Sequence, residues 1–457
     1  MRVRFPSPAP DDKKQPNSAV LFLLNETRGI FFSIFLIRLF RKTRYLLYEY
    51  KVKINIDEVR KMRQMKYLIL PLTAILLTSC SGTKGLHHLS GAWTEGAGPG
   101  EDIETKIPAG QLTCAALDDN KYYDFWKQIN SQKQSEDEED KDGPLYEYYK
   151  VFGSSFSTMN RIKLTVNNGN DVYVTLKEDN LTYHVDNMHT VYLFAKSKAE
   201  SYEIDVSYLN NSNERVTMTT VVQDEDTIDL ENTFTLFNQL EIMFVIDATG
   251  SMGDEMQYIQ SEIVDVIEQV KNSNAGINIK LAMMVYRDSG DDYVTKYSDF
   301  TTDISSQQTW LNKQSSGGGG DYEEAVDVAL TEAMNKQWST KATKLLFHVA
   351  DAPSHDQDVP TWANAAYSAA NKGIKIISVA ASGFTQKAEF FFRSQSLLTG
   401  GQYVFLTDDS GIGNEHEQPT IQEPLVIEYL NACLVRLING YQSGVMADPV
   451  PYNQGQE

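Results

Sequence analysis

The sequence predicts an α/β fold in its second half, a doubly wound and mainly parallel sheet, preceded by an all-β module. Three observations support this prediction. From residue 241 onward, short apolar runs alternate with segments of helical period, the order typical of βα units. Glycines such as Gly373 and Gly400 follow the helical segments. Residues 160–225 instead alternate apolar and polar side chains at a period of two, which is typical of antiparallel strands.

The elements of the second half follow one another in regular alternation. The strand runs are almost continuously apolar, which indicates burial on both faces of a sheet. In the second helix, Ala325, Val328, Ala329 and Ala333 have the spacing of an inward face. The predicted order is strand 242–246, helix 253–272, strand 279–286, helix 321–336, strand 344–350, helix 359–371, strand 374–380, helix 386–398, strand 403–406 and helix 425–438.

A polar group follows the first of these strands directly. Asp247, Thr249 and Ser251 stand at alternating positions after the apolar run, and a helical pattern then begins. Open α/β sheets bind ligands at the carboxyl ends of their strands. One carboxylate and two hydroxyls are hard oxygen ligands, which suit Mg²⁺ or Mn²⁺. The sequence therefore predicts a divalent-cation site at this edge of the sheet.

Three loops are together similar to those of a known family. The D-x-T-x-S pattern of residues 247–251 resembles the metal-ion-dependent adhesion site (MIDAS) of von Willebrand factor type A (VWA) domains. The segments GGGGDYEEAVDVAL at 317–330 and LLFHVADAPSH at 345–355 look like the second and third metal loops of that family, in the same order. The resemblance implies a VWA domain, with a Rossmann-like doubly wound sheet, over residues 236–442.

The resemblance also implies a set of metal ligands. Thr249 and Ser251 would offer hydroxyls to Mg²⁺ or Mn²⁺, and Asp247 and Asp351 would bind the cation or orient its waters. The family commonly has Thr in the second loop, where Asp321 stands at or beside the position. A third carboxylate cancels more of the cation's charge, so we expect a weaker pull on a partner's carboxylate. Asp and Ser also favour helix starts, and a capping role stays open for Asp247, Ser251 and Asp321.

The rest of the chain divides by composition. Residues 81–150 are interpreted as a Gly- and Ser-rich tether that includes an acidic linker. Residues 151–232 are predicted to form a β-sandwich module, which resembles the immunoglobulin-like modules that precede A domains in related proteins. Residues 443–457 are predicted to be a disordered tail. Cys114 and Cys433, in different predicted domains, are interpreted as buried small hydrophobes rather than a disulfide.

A short apolar segment indicates targeting. Residues 65–80 have a basic start, an apolar core and Leu-Thr-Ser before Cys80, which resembles a bacterial lipoprotein signal peptide. The resemblance implies acyl chains on Cys80 and a lipid-anchored protein of the bacterial cell envelope, on the periplasmic or surface side. Residues 1–64 would then be a start-site misassignment or a basic leader.

Charge and motifs narrow the function. The 457 residues carry a formal net charge of −21, which repels phosphate backbones and argues against nucleic acid as a partner. No G-x-S-x-G, H-E-x-x-H or Walker A pattern is present, so we do not expect an enzyme.

The expected function is therefore divalent-metal-dependent protein binding, in adhesion or envelope assembly, with a partner that offers a Glu or Asp carboxylate to the cation. Two alternatives stay open: a structural envelope lipoprotein in which the metal only stabilises the fold, and a metal-assisted hydrolase.

Overall fold

A computed structural model of the chain describes residues 107–133 and 142–453. The predictions for residues 1–64, for the signal segment 65–80 and for lipidation of Cys80 lie outside these ranges. Within them, no helix has both the length and the apolar character needed to cross a bilayer.

The strands in these ranges are β1 (Thr113–Leu117), β2 (Arg161–Asn167), β3 (Asn170–Leu176), β4 (Leu181–His184), β5 (Thr190–Phe194), β6 (Tyr202–Leu209), β7 (Arg215–Val222), β8 (Asp226–Asp229), β9 (Gln239–Asp247), β10 (Asn278–Tyr286), β11 (Thr295–Thr301), β12 (Thr343–Ala350), β13 (Ile374–Ala380), β14 (Tyr403–Thr407) and β15 (Glu428–Tyr429). The α-helices are α1 (Tyr123–Ile129), α2 (Tyr146–Phe152), α3 (Met256–Ser273), α4 (Ile304–Leu311), α5 (Val326–Met334), α6 (Val359–Lys372), α7 (Gln386–Thr399) and α8 (Leu430–Ser443).

One large sheet organises the second half of the chain. Its strand order is β11-β10-β9-β12-β13-β14-β1-β15. The five strands from β10 to β14 in this order are parallel, whereas β11, β1 and β15 pair antiparallel at the two sides. The predicted α/β class with a mainly parallel sheet is confirmed.

Strand β9 shows why this sheet is covered on both faces. Met243 and Val245 belong to one buried core cluster, and Ile242, Phe244 and Ile246 belong to a second. Because successive side chains of a strand point to opposite faces, an uninterrupted apolar run requires an apolar layer on each side. Helices provide both layers, so the carboxyl ends of the central strands are left as the accessible polar edge.

Strand β1 departs from the sequence-based prediction, which assigned residues 81–150 to a tether. It pairs with β14 over Thr113 to Leu117 and so extends the large sheet. The carboxylate of Glu262, a buried residue of α3, accepts the backbone N–H groups of Gly110, Gln111 and Leu112. The pairing of β1 joins residues 294 positions apart, which local composition does not reveal.

The two described cysteines illustrate the same correction. Both are free and buried, as predicted, but they are not in separate domains. Cys114 lies on β1 and Cys433 on α8, and both belong to one core cluster. The neighbouring Cys433 and burial together raise the pKa of the Cys114 thiol, with burial the larger cause.

Residues 161–229 form two small sheets, with strand orders β5-β2-β8 and β4-β3-β6-β7. One apolar cluster, which includes Ile162, Leu164, Val174 and Val206, fills the space between them. The pairing is antiparallel except for β2 and β8, which are parallel, so the purely antiparallel pattern expected from the sequence is incomplete. Assignment to the immunoglobulin-like class stays a prediction.

The β-module packs against the edge of the large sheet where the parallel strands begin. The Asn187 side chain donates to the Thr343 hydroxyl at the start of β12 (3.1 Å) and to the Gln442 carbonyl of α8 (2.7 Å). Near the start of β13, Lys375 pairs with Asp186 at 3.0 Å. The module therefore lies at the opposite edge from the carboxyl ends of these strands.

Some predicted boundaries shift. Helix α5 begins at Val326 rather than 321, and Val328, predicted to face inward, is exposed. The segment predicted as a disordered tail is packed in part, because Val450 N–H donates to Glu428 and Tyr452 N–H donates to the Ile427 carbonyl. These contacts follow from β15, a two-residue strand that the sequence pattern does not reveal.

Candidate metal centre

Strands β9 and β12 bring the first and third loops together. They are adjacent and parallel, with Val349 opposite Ile246, so each delivers its terminal acid to the same edge. Asp247 is fully buried and Asp351 is 2% exposed. Thr249 hydrogen-bonds to the first of these acids, because its N–H and its hydroxyl donate to Asp247 Oδ1 at 2.9 and 2.7 Å.

Ser251 completes this group. Its hydroxyl lies 3.2 Å from the Thr249 hydroxyl. It also hydrogen-bonds to Asp351, which partly opposes the rise in the pKa of that carboxyl. Four of the five residues predicted as metal ligands, namely Asp247, Thr249, Ser251 and Asp351, therefore lie together at the carboxyl edge of the sheet.

Asp247 Oδ2, Asp351 Oδ1 and Glu324 Oε2 are buried at this edge without a hydrogen-bond partner in the described part of the chain, as is Oδ1 of the nearby Asp254. Burial raises the pKa of Asp247 and of Asp351, and the charge of Asp351 raises that of Asp247 further. Burial and then the charges of Asp247, Asp288 and Asp351 raise the pKa of Glu324 to about 9. Unpaired buried carboxylates are costly, so this arrangement fits a divalent cation well.

The second loop contributes Glu324 where the sequence pattern indicated Asp321. Glu324 N–H donates to the Pro353 carbonyl at 2.9 Å, and Glu324 forms an isolated parallel bridge with Ser354. This bridge holds the side chain beside the third loop, whereas Asp321 is exposed. The sequence does show three acids after the glycine run, namely Asp321, Glu323 and Glu324. Their distance from the glycines does not reveal which of them is buried at the site.

Gly319 shows how closely the second loop approaches the first. Its φ is +74°, a left-handed conformation that favours glycine. A Cβ there would lie 2.9 Å from Glu324 Oε1 and 3.4 Å from Thr249 Cβ. The four-glycine run therefore allows the backbone to pass next to the buried carboxylates.

The site is surrounded by further polar residues, which the metal-loop pattern did not include. Glu255, fully buried, accepts from His416 Nε2 at 2.8 Å, and Asp408 lies 2.8 Å from His416 Nδ1. Asp254 accepts from the Asn414 backbone and side chain at 2.8 and 2.6 Å. These contacts connect the start of α3 to the loop after β14.

Behind the site, the hydroxyl of Tyr286 lies beside Asp247 and 3.1 Å from His348 Nε2. His348 Nδ1 lies 2.9 Å from the Gln395 amide, and burial lowers the pKa of the ring to about 3. The neutral imidazole is therefore a core residue with both nitrogens occupied.

Comparison with known proteins identifies this part of the chain. Residues 241–408 match the family model described as "von Willebrand factor A domain". The match begins in β9 and ends just after β14, so it includes all three loops. This part of the chain is a VWA domain, which confirms the family resemblance for this region.

Two curated proteins match the chain over limited segments. "Alpha-protein kinase vwkA" of Dictyostelium discoideum is 25% identical over 171 residues, which are 37% of this chain and 27% of that protein. "Putative ariadne-like RING finger protein R811" of Acanthamoeba polyphaga mimivirus is 28% identical over 116 residues, which are 25% of this chain and 11% of that protein. The chain therefore spans only about a quarter or less of the length of either relative.

Two solved structures are also similar. A conserved hypothetical protein BatB from Bacteroides thetaiotaomicron is 15% identical, with a TM-score of 0.30, and the match covers 39% of this chain and 91% of that one. The pilus adhesin SpaC from Lactobacillus rhamnosus GG, in an open conformation, is 10% identical, with a TM-score of 0.31, and the match covers 55% of this chain and 33% of that one.

Proposed function

We propose that the VWA domain binds another protein through a divalent cation, Mg²⁺ or Mn²⁺, at the carboxyl edge of its sheet. The observation that carries this proposal is that Asp247, Asp351 and Glu324 each have a buried carboxylate oxygen with no hydrogen-bond partner among the described residues. The residues assigned to the cation are Asp247, Thr249, Ser251, Asp351 and, in place of Asp321, Glu324.

The surroundings of the site favour recognition over catalysis. The acids here are each other's main electrostatic neighbours, and His348 is neutral and has both nitrogens occupied. A general base must reach the proton that it removes. His348 is enclosed in the core, and the acids would be occupied by the cation that they bind. We therefore propose a binding module whose partner offers a Glu or Asp carboxylate.

Glu324 changes the strength of that interaction. With Asp247 and Asp351 it gives the site three carboxylates, which together exceed the charge of one divalent cation. A cation so neutralised attracts an incoming carboxylate weakly, and the expectation first made for Asp321 transfers to Glu324. Contacts around the rim would then decide which partner is bound.

The proposed location is the bacterial cell envelope, with a lipid anchor on Cys80. This part rests on the signal-like segment 65–80 alone. The β-module lies between that segment and the VWA domain in sequence, and it packs at the edge of the sheet opposite the metal centre. The metal centre therefore stays accessible to a partner on the side away from the module.

The test is thermal unfolding of the full chain in EDTA and in excess Mg²⁺ or Mn²⁺. We expect the wild type to melt higher with metal. We expect Asp247→Asn to be more stable than the wild type in EDTA, because it removes one of two repelling buried charges. The gain in unfolding free energy should be about 1–3 kcal/mol, since one pKa unit is about 1.4 kcal/mol, and the melting temperature should rise accordingly. The same variant should gain nothing from metal. Exposed Asp409→Asn is the matched control and should behave as the wild type.

Partner binding separates the alternatives. A metal-dependent rise in melting temperature, together with EDTA-sensitive binding of a protein that requires its own acidic side chain, supports the proposal. The same rise without metal-dependent binding would favour a structural metal, and turnover of a substrate would favour a hydrolase. Absence of any metal effect in the wild type would contradict the metal site itself.

A further inference from the structure

We propose that Asp288, Asp321 and His355 hold a second divalent cation of the transition-metal type, Zn²⁺ or Mn²⁺, at the rim of the VWA domain. Asp288 follows β10, Asp321 lies in the second loop and His355 is the last residue of the third loop, so three separate segments meet here. One possible ligand atom from each side chain lies within 4.8 Å of the others. None of these three belongs to the group around Asp247.

The spacing within this rim cluster suits shared coordination. His355 Nε2 and Asp288 Oδ1 are 3.1 Å apart. Two ligands that bind one cation at about 2.1 Å are separated by about 3.0 Å at the right angle of an octahedral site and by about 3.4 Å at the tetrahedral angle of Zn²⁺. The observed separation therefore matches adjacent positions on one cation, as well as a simple ion pair.

A buried acid near the cluster, assigned above to the first cation, also favours positive charge in this region. Glu324 is only 2% exposed, and its Oε2 has no hydrogen-bond partner in the described residues. The carboxylates that act on it most strongly are Asp247 first and Asp288 second. The negative charge of Asp288 therefore adds to that of Asp247 at Glu324, and an unpaired buried carboxylate is costly unless positive charge is near.

Neither of two nearby positive side chains pairs with this cluster. Arg287, next to Asp288 in sequence, donates to the Ala248 and Ser315 carbonyls at 3.0 and 2.9 Å. Lys387 pairs with Glu323 at 2.8 Å and with Asp356 at 2.6 Å. Within the described residues, no lysine or arginine forms an ion pair with Asp321 or Asp288. Two carboxylates and an additional buried acid therefore depend on His355 alone, which is at most singly charged.

The donor set distinguishes this site from the first in chemical terms. The residues around Asp247 offer only oxygen, which suits Mg²⁺. The rim cluster adds an imidazole nitrogen, which Zn²⁺ and Mn²⁺ accept readily and which Mg²⁺ and Ca²⁺ seldom use. The exposure of Asp321 leaves coordination positions open to water or to a partner's side chain.

The test is a Mn²⁺ titration of the full chain, read by electron paramagnetic resonance with electron spin-echo modulation. We expect two bound Mn²⁺ per wild-type chain, one of which shows modulation from a directly bound nitrogen. His355→Gln should bind one Mn²⁺ and lose the nitrogen signal, and Asp321→Asn should weaken the same site. Zn²⁺, which ranks above Mn²⁺ for nitrogen-containing sites, should displace the nitrogen-coupled Mn²⁺ first. His189→Gln, in the β-module, is the control and should leave both sites intact.

The outcomes separate this proposal from the proposed function. If the wild type binds a single Mn²⁺ that shows no nitrogen coupling and is lost in Asp351→Asn, the first site is supported. The rim cluster is then an ion pair only, and the second site is overturned. A nitrogen-coupled Mn²⁺ that persists in Asp351→Asn would establish the rim site even if the first fails. A nitrogen signal unchanged in His355→Gln would overturn the assignment of His355.

Discussion

His416 shows how single residues connect the metal centre to the remainder of the VWA domain. It is 5% exposed and lies between Glu255, at the start of α3, and Asp408, after β14. Burial alone would lower the pKa of this histidine, but the hydrogen bonds and charges of Glu255 and Asp408 outweigh burial and raise it. The protonated ring is thus the form that stabilises this connection.

This contact predicts a pH-dependent stability. Because the folded-state pKa of His416 is raised, its contribution is complete below the unfolded value of about 6.5 and is lost as pH rises through the folded-state value. We expect the difference in unfolding free energy between wild type and His416→Gln to be largest near pH 6 and to shrink above it. Urea unfolding in EDTA over this range measures the difference.

Asp408→Asn is the matched control, since it keeps the imidazole and removes one of its two acids. Its pH dependence should be intermediate. A difference between wild type and His416→Gln that stays constant with pH would show that the ring is neutral throughout and serves only as a hydrogen-bonding group.

At the scale of elements, the sequence predicts those strands and helices whose signal is local. Strand β13 and helix α6 agree with prediction within one residue, because each has its own apolar pattern and Gly373 separates them. Strand β1 was missed because TCAAL is short and its partners on β14 are distant in sequence. Glu324 was missed for a related reason, since a bridge to Ser354 in another loop orients it.

The attachment of β1 gives an element-scale prediction. The Glu262 carboxylate accepts three backbone N–H groups from the residues that lead into β1. Replacement by Ala removes all three bonds and leaves the buried Leu112 donor unsatisfied, and we expect a loss of about 2–4 kcal/mol in unfolding free energy. Chemical denaturation of Glu262→Ala against Glu268→Ala, an exposed position on the same helix, measures it. Equal stability of the two variants would mean that pairing with β14 and β15 suffices to hold the strand.

At the scale of the whole molecule, the boundaries of the VWA domain depend on residues far outside the family match. The match ends at 408, and the sequence alone places the domain at 236–442. The large sheet nevertheless contains β1. The first residue of α8, Leu430, also donates its N–H to the Leu112 carbonyl just before β1. A fragment of residues 236–442 would therefore expose the unpaired edge of β14 and part of an apolar core that includes Cys433.

We accordingly expect residues 107–453 to unfold in one cooperative transition, and residues 236–442 to be markedly less stable and prone to aggregate through the edge of β14. The β-module should contribute to the same transition, because Asn187 contacts both β12 and α8. Calorimetry of the two fragments tests this. Two separate transitions in the longer fragment, or equal stability of the shorter one, would mean that the 236–442 segment folds independently and that β1 and the module are accessory. A single transition would make the module and the strand before it integral parts of the structure that holds the metal loops in register.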